Sequence, residues 1–218
     1  MATEIKENYL KAIYFLDQKD SKITLTALAK EMQVSKPTVN DMVKKLKNKG
    51  WLNYQKYKPL HLTPEGRKAA ALIIRKHRLT EMFLVQVMGF GWEEVHDIAE
   101  EIEHINAAHF FDRMDEILGF PTTDPHGSPI PDKDGNTHQP NYQLLSTVPE
   151  NTTVVLRGLR ESSKEFLLFL NKKQLQLGTQ IVLHHFEPFD KSITVSYGDF
   201  SAVQLSHSVS SRLFVELV

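Results

Sequence analysis

The run His96-Asp97-Ile98-Ala99-Glu100-Glu101-Ile102-Glu103-His104 places six side chains that can donate to a cation within nine residues, four of them at spacings of one helix face. At about 100° per residue of helix, His96, Glu100, Glu103 and His104 fall within a third of the circumference, and Val95, Ile98, Ile102 and Ile105 fall opposite. The spacing predicts one face that packs and one that can coordinate. His77 and Glu81, four residues apart, share a face of a second helix, and facing helices of a bundle commonly build carboxylate and imidazole metal sites. With no cysteine in the chain, thiolate sites, disulfides and iron–sulfur clusters are excluded. An oxygen-rich set with imidazole nitrogen suits manganese or ferrous iron better than copper. The alternative is a solvated face that happens to be rich in histidine. Hydrolysis would require an open coordination position and a placed base, and the sequence displays neither, so the chain is read as not an enzyme.

The elements that must hold these residues begin at the first helix, where Ile5, Tyr9, Ala12, Ile13 and Leu16 form an apolar stripe. After a break at Asp20-Ser21-Lys22, Leu25, Leu28, Ala29 and Met32 form a second stripe. A short turn over Gln33 to Ser35 leads to a third helix, with Ser35 as cap, Pro37 in the first turn, Val39, Met42, Val43 and Leu46 buried, and Gly50 as stop. Two short helices joined so tightly outline a helix-turn-helix. Trp51 to Tyr54 and Leu60 to Thr63, around Lys56-Tyr57-Lys58-Pro59, alternate like a hairpin with a basic tip, the wing. The net charge of −1 hides a polarity along the chain: Lys36 to Lys68 holds nine Lys or Arg against Asp41 and Glu65, while Asp97 to Glu116 holds seven acids against Arg113. A basic block suits a polyanion and an acidic one a cation. Lys36, Pro37, Thr38, Asn40 and Lys44 are candidates for DNA contact, with Lys47 and Lys58 on phosphate.

A long helical pattern runs from Pro64 to about Val87, and Trp92 to Ile105 and Ala108 to Leu118 read as two more helices. Together they carry more apolar surface than a winged helix needs, which suggests a dimer interface. Pro121 to Pro140, with five prolines and two glycines, reads as an extended linker. Beyond it, Thr152–Leu156, Gln180–Leu183, Ser192–Ser196, Ala202–Leu205 and Leu213–Leu217 are β-prone runs, interrupted by one helical stretch near Ser163 to Lys172, and suggest a small barrel. The expected fold class is therefore multi-domain: an α-helical winged helix-turn-helix over 1–63, a helical metal-binding and dimerisation domain with its linker over 64–140, and a small all-β domain over 141–218. No apolar run approaches the ~20 residues of a membrane helix, and the first residues resemble no targeting signal, so a cytoplasmic location is expected.

Several stretches together resemble the diphtheria toxin repressor family of iron- and manganese-dependent regulators: Glu7 to Tyr14, Val34 to Val39, Leu62 to Gly66, His77 to Glu81, His96 to His104, and Pro125-His126-Gly127-Ser128-Pro129-Ile130-Pro131. The likeness extends over essentially the full length, its tail resembling the SH3-like, FeoA-type domain that some members append. The resemblance implies a homodimeric repressor of metal-uptake genes on a palindromic operator. It places Glu100, Glu103 and His104 on the primary, activating metal site and His77, Glu81 and His96 on an ancillary site, with Glu165, alongside Glu161, as a ligand from the SH3-like domain. Glutamate at the position of Glu100 is found in manganese-responsive relatives, where iron-preferring ones have cysteine, so Mn2+ is favoured and Fe2+ is the alternative. Two residues depart from the pattern. Asn8 stands where the family has methionine or aspartate, and Lys11 stands where manganese-responsive relatives have glutamate. Asn8 is expected to close the primary site through its amide oxygen, with Glu4 as a charged substitute one turn earlier. The other reading is a winged-helix regulator not controlled by metal.

Overall fold

The structure is a computed structural model that describes every residue except Met1, Asp20, Ser21, Tyr57 and Gln139, together with the backbone alone of Ala2, Thr3 and Lys19. The expected break at Asp20-Ser21 and the Tyr57 of the wing tip lie outside the described residues. Chain contacts gather into two compact units, one of residues 1–80, 97–122 and 130–138, the other of residues 81–96, 123–129 and 139–218.

In the first unit, α1 (Ala2–Lys19), α2 (Leu25–Glu31) and α3 (Lys36–Asn48) precede a hairpin of β1 (Leu52–Asn53) and β2 (His61–Leu62). Leu10, Ile13, Leu28, Val39, Val43, Leu46, Leu52 and Leu60 close one core between them. Thr24 caps α2 by accepting the Ala27 N–H, and Ser35 caps α3 by accepting that of Thr38, which satisfies donors a helix start leaves unpaired. The hairpin pairs Leu52 with Leu62 and Asn53 with His61, and Leu60 N–H donates to the Ile23 carbonyl at 2.8 Å. The wing is thus shorter than the alternation predicts, two residues a strand, and is braced by the loop before α2. A side chain at Gly66 would meet the Trp51 carbonyl oxygen at 1.9 Å, so glycine lets α4 (Pro64–Gln86) start directly against the hairpin.

α5 spans Val95–Ile102 and α6 Ala108–Ile117. Expectation and structure part here. Trp92 to Glu94 form a turn rather than helix, and α5 stops before Glu103 and His104. Its packed side also differs: Val95, Ala99 and Glu103 are fully buried while Ile105 is exposed. Glu103 can sit inside because Lys11 and His77 supply its partners. Arg75 of α4 joins Asp115 of α6 and donates to the Pro131 carbonyl at 2.7 Å.

The second unit contains an antiparallel sheet in the order β3 (Gln143–Leu144), β8 (Leu213–Leu217), β4 (Thr152–Leu159), β5 (Gln180–Phe186), β6 (Ile193–Tyr197), β7 (Phe200–Leu205), with α7 (Lys164–Lys172) and a short α8 (His207–Ser210). The five expected strands are present, and β3 makes a sixth. Leu145, Val154, Leu156, Phe166, Leu170, Ile181, Val195 and Val215 form its core. Register shifts in the pairing of β4 with β8, β5 with β6 and β6 with β7 mark irregularities of the bulge kind, which bend strands and allow a short sheet to wrap a core.

Candidate functional site

In the first unit, one turn of α1 faces the end of α5. Lys11 Nζ lies 2.5 Å from Glu100 Oε1 and 2.7 and 2.9 Å from the two oxygens of Glu103. Glu103 is fully buried, and its Oε2 also meets His77 Nδ1 at 2.6 Å. Burial by itself would raise the Glu103 carboxyl, but the hydrogen bond from His77 and the charge and hydrogen bond of Lys11 outweigh it and hold the group below the ordinary glutamate value. His104 Nδ1 pairs with Glu7 Oε2 at 2.7 Å, which leaves its Nε2 3.8 Å from Glu103 Oε1. A carboxylate on one imidazole nitrogen is the arrangement that orients a metal-ligating histidine. Asn8 Oδ1 is buried and accepts no hydrogen bond.

The structure brings Glu100, Glu103 and His104 near α1, adds Glu7 and Lys11, and places His77, expected with Glu81 and His96 on the ancillary site, against Glu103 instead. These donors are of the right kind for a divalent ion. With Lys11 on both carboxylates the set does not fit one, because a second positive centre would share the same oxygens. Glu4 lies exposed on α1.

In the second unit, Glu81, Asp124 and His126 are all buried, and each offers one ligand atom, the three lying within 4.8 Å of one another. Glu81 Oε1 is 3.3 Å from His96 Nδ1, and Glu81 Oε2 is 3.8 Å from His126 Nδ1. His126 Nε2 meets the Trp92 carbonyl at 2.8 Å; a carbonyl only accepts, so Nε2 carries the proton and, in the neutral ring, Nδ1 presents its lone pair toward Glu81. Asp124 Oδ1 accepts the N–H groups of His126 and Ser128 at 2.8 and 2.9 Å, and the His126 carbonyl accepts the Leu159 N–H of β4 at 2.9 Å. Gly127 has φ +83°, and a Cβ there would meet the Arg157 carbonyl oxygen at 2.2 Å. The loop is therefore fixed against β4 by its own backbone contacts. Imidazole with two carboxylates, out of solvent, fits a divalent metal ion. Glu165 is exposed in the first turn of α7, and Glu161 pairs with Arg212 at 2.9 Å; neither belongs to this cluster. Asp124 and His126 join Glu81 here without having been singled out by residue spacing. Their signal was the Asp-Pro-His-Gly turn itself, a histidine and an acid two residues apart around a rigid proline.

On α3, Val39, Val43 and Leu46 are buried, whereas Lys36, Pro37, Thr38, Lys44 and Lys47 are exposed. Lys47, Tyr54, Lys58 and His61 line one groove between α3 and the hairpin. Asn40 is half-buried and its Oδ1 accepts from Tyr54 OH at 3.0 Å, so it braces the wing from α3. Lys44 Nζ is 3.8 Å from Asp41, a loose surface pair.

Three family models match: the iron dependent repressor N-terminal DNA binding domain over residues 1–60, the iron dependent repressor metal binding and dimerisation domain over 63–132, and the FeoA domain over 143–217. The chain belongs to the iron-dependent, or diphtheria toxin, repressor family. It is 38% identical over 125 residues to the iron-dependent repressor IdeR of Mycobacterium leprae (strain TN), a match covering 57% of this chain and 54% of that protein. Over 151 residues it is 31% identical to the diphtheria toxin repressor of Corynebacterium jeikeium (strain K411), covering 69% and 60%. The chain thus spans between half and two thirds of the length of these relatives. Among solved structures it resembles a manganese-dependent transcriptional repressor in complex with manganese, with TM-score 0.85, 29% identity and 98% and 100% of the two chains covered. It also resembles ScaR with bound Cd2+, with TM-score 0.80, 34% identity and 98% and 99% covered.

Proposed function

We propose that this chain is a divalent-metal-dependent transcriptional repressor of metal-uptake genes, acting as a homodimer on a palindromic operator in the cytoplasm. The observation that carries the metal dependence is the buried cluster of Glu81, Asp124 and His126 in a chain whose α3 presents a basic, exposed face. Family membership supports the same reading, as do the matched models for the division into a winged helix over 1–63, a helical domain over 64–140 and an SH3-like domain over 141–218.

Lys36, Pro37, Thr38, Asn40 and Lys44 enter the major groove, and Lys47 and Lys58 neutralise phosphates on its flank. Phe110, Ile117 and Phe120 are 45%, 55% and 62% exposed. Three large apolar groups on and just after one short helix are a candidate patch for the second copy. Two recognition helices about one turn of duplex apart, near 34 to 36 Å, then read the two half-sites. Glu81, His96, Asp124 and His126 hold the ion, with Mn2+ favoured by the oxygen-rich donors and Fe2+ the alternative. When bound, it supplies the positive charge that lets two buried carboxylates stay ionised together, and so favours the conformation that gathers them. His77 acts at the other site, where its Nδ1 fixes Glu103.

A winged-helix regulator indifferent to metal is the second reading, favoured by Lys11 between Glu100 and Glu103. The experiment is anisotropy titration of a labelled promoter fragment from upstream of its own gene, in chelator and then in Mn2+, Fe2+, Zn2+ or Co2+, at fixed salt. A rise in affinity of about tenfold or more, some 1.4 kcal/mol, with one or two metals is expected. Equal binding under all conditions selects the second reading.

A further inference from the structure

We propose that the Lys11 ammonium is the resident cation of the Glu100 and Glu103 carboxylates, so that α1 is fastened to the end of α5 by an internal ion pair and this site takes up no divalent ion. The proposal concerns the first unit alone; only its stoichiometry rests on the metal centre proposed at Glu81.

An ammonium has three protons and no acceptor, and Lys11 Nζ has three carboxylate oxygens at 2.5, 2.7 and 2.9 Å. Its hydrogen-bonding capacity is used up on them. These are distances of charge-assisted hydrogen bonds. The pairing is not a loose surface contact: the Lys11 side chain is 12% exposed and that of Glu103 0%. Around it stand the fittings of a cation site. Glu7 orients His104, His77 holds the far oxygen of Glu103, and Asn8 Oδ1 has no hydrogen bond. The place such fittings would give a metal belongs to a charge covalently attached to α1.

Two consequences follow from that attachment. A tethered cation competes at an effective concentration fixed by the chain rather than by the metal in the medium. An ion taking the same oxygens at about 2.0–2.2 Å would lie against a like charge, or require Lys11 to swing out and leave its helix face. The joint between the DNA-binding helices and α5 therefore forms with the metal level low or high, and sensing is left to the second unit.

The test is equilibrium dialysis of the full chain against manganese chloride, with metal per chain read by mass spectrometry, for the wild type and Lys11→Met. About one manganese per chain is expected for the wild type and about two for Lys11→Met. None in the wild type and one in the variant upholds the role of Lys11 and removes the Glu81 centre, so the two readings fail separately. Two in the wild type, or any ratio that Lys11→Met does not raise, overturns the proposal. Should the variant not fold, the wild type answers alone through its lysine 1H–15N ammonium spectrum. A slowly exchanging Lys11 signal that persists at saturating zinc is expected. A signal that exchanges as fast as those of exposed lysines, or that is lost on adding zinc, overturns it.

Discussion

Lys47 of α3 and Lys58 of the wing line the same groove, and both are exposed, so each can reach phosphate without first breaking a buried contact. Each phosphate neutralised releases counterions, and log K falls with log salt by about 0.9 per contact. In a two-fold dimer, Lys47→Ala removes two contacts and should flatten the slope by about 1.8. Between about 50 and 200 mM salt, a factor of roughly four, the wild type should lose about tenfold more affinity than the variant does, and at low salt the variant should bind the more weakly. Lys58→Ala should behave alike. Anisotropy titrations at four salt concentrations, on operator and on scrambled duplex of equal length, measure both slopes. The loss should be uniform across sequences, because phosphate contacts position and do not specify. A slope indistinguishable from the wild type's, or a loss confined to the operator, would refute the placing of these lysines on the backbone.

Other outcomes follow from particular contacts. Asp115→Ala strands the nearly buried Arg75 guanidinium and should cost roughly 3 to 5 kcal/mol, whereas Arg75→Met with Asp115→Leu should cost far less; chemical denaturation of both variants would show whether the order holds. Gly127→Ala forces a Cβ to 2.2 Å from the Arg157 carbonyl, while Gly178→Ala, also at positive φ, meets nothing within 4 Å. Gly178→Ala should therefore cost only the left-handed penalty of about 1 to 2 kcal/mol, and Gly127→Ala should lower manganese uptake as well; equal effects on uptake would separate the loop from the metal centre. Leu156→Ala, fully buried in the sheet core, should cost about 2 to 5 kcal/mol, read as a fall in Tm. Phe110→Glu with Ile117→Glu should convert the dimer to monomer in sedimentation, and an unchanged dimer would move the interface elsewhere.

What could be read from the sequence followed the range of the physics involved. Helices α1 to α4 and strands β4 to β8 have long enough periods to declare themselves, and Ser35, Pro37 and Gly50 punctuate α3 by local chemistry alone. β3 did not declare itself, since two residues, Gln143 and Leu144, contain no alternation; only their pairing with Phe214 and Val215 makes them a strand. At the site, periodicity put Glu100, Glu103 and His104 on one coordinating face opposite the packed one, whereas Glu103 is fully buried. A buried carboxylate is intelligible only when its counter-charges are known, and these come from positions 77 and 11. Lys11 was visible in the sequence as the loss of an acidic ligand. Its gain of function was not, because the oxygens that receive it lie 89 and 92 residues further along the chain. A substitution that removes one negative charge and adds one positive charge does more than weaken a cation site: it fills it. Two acids facing a lysine are electrostatically nearer to balance than two acids facing nothing. The same family architecture can thus hold its DNA-binding helices in place by a bond internal to the chain.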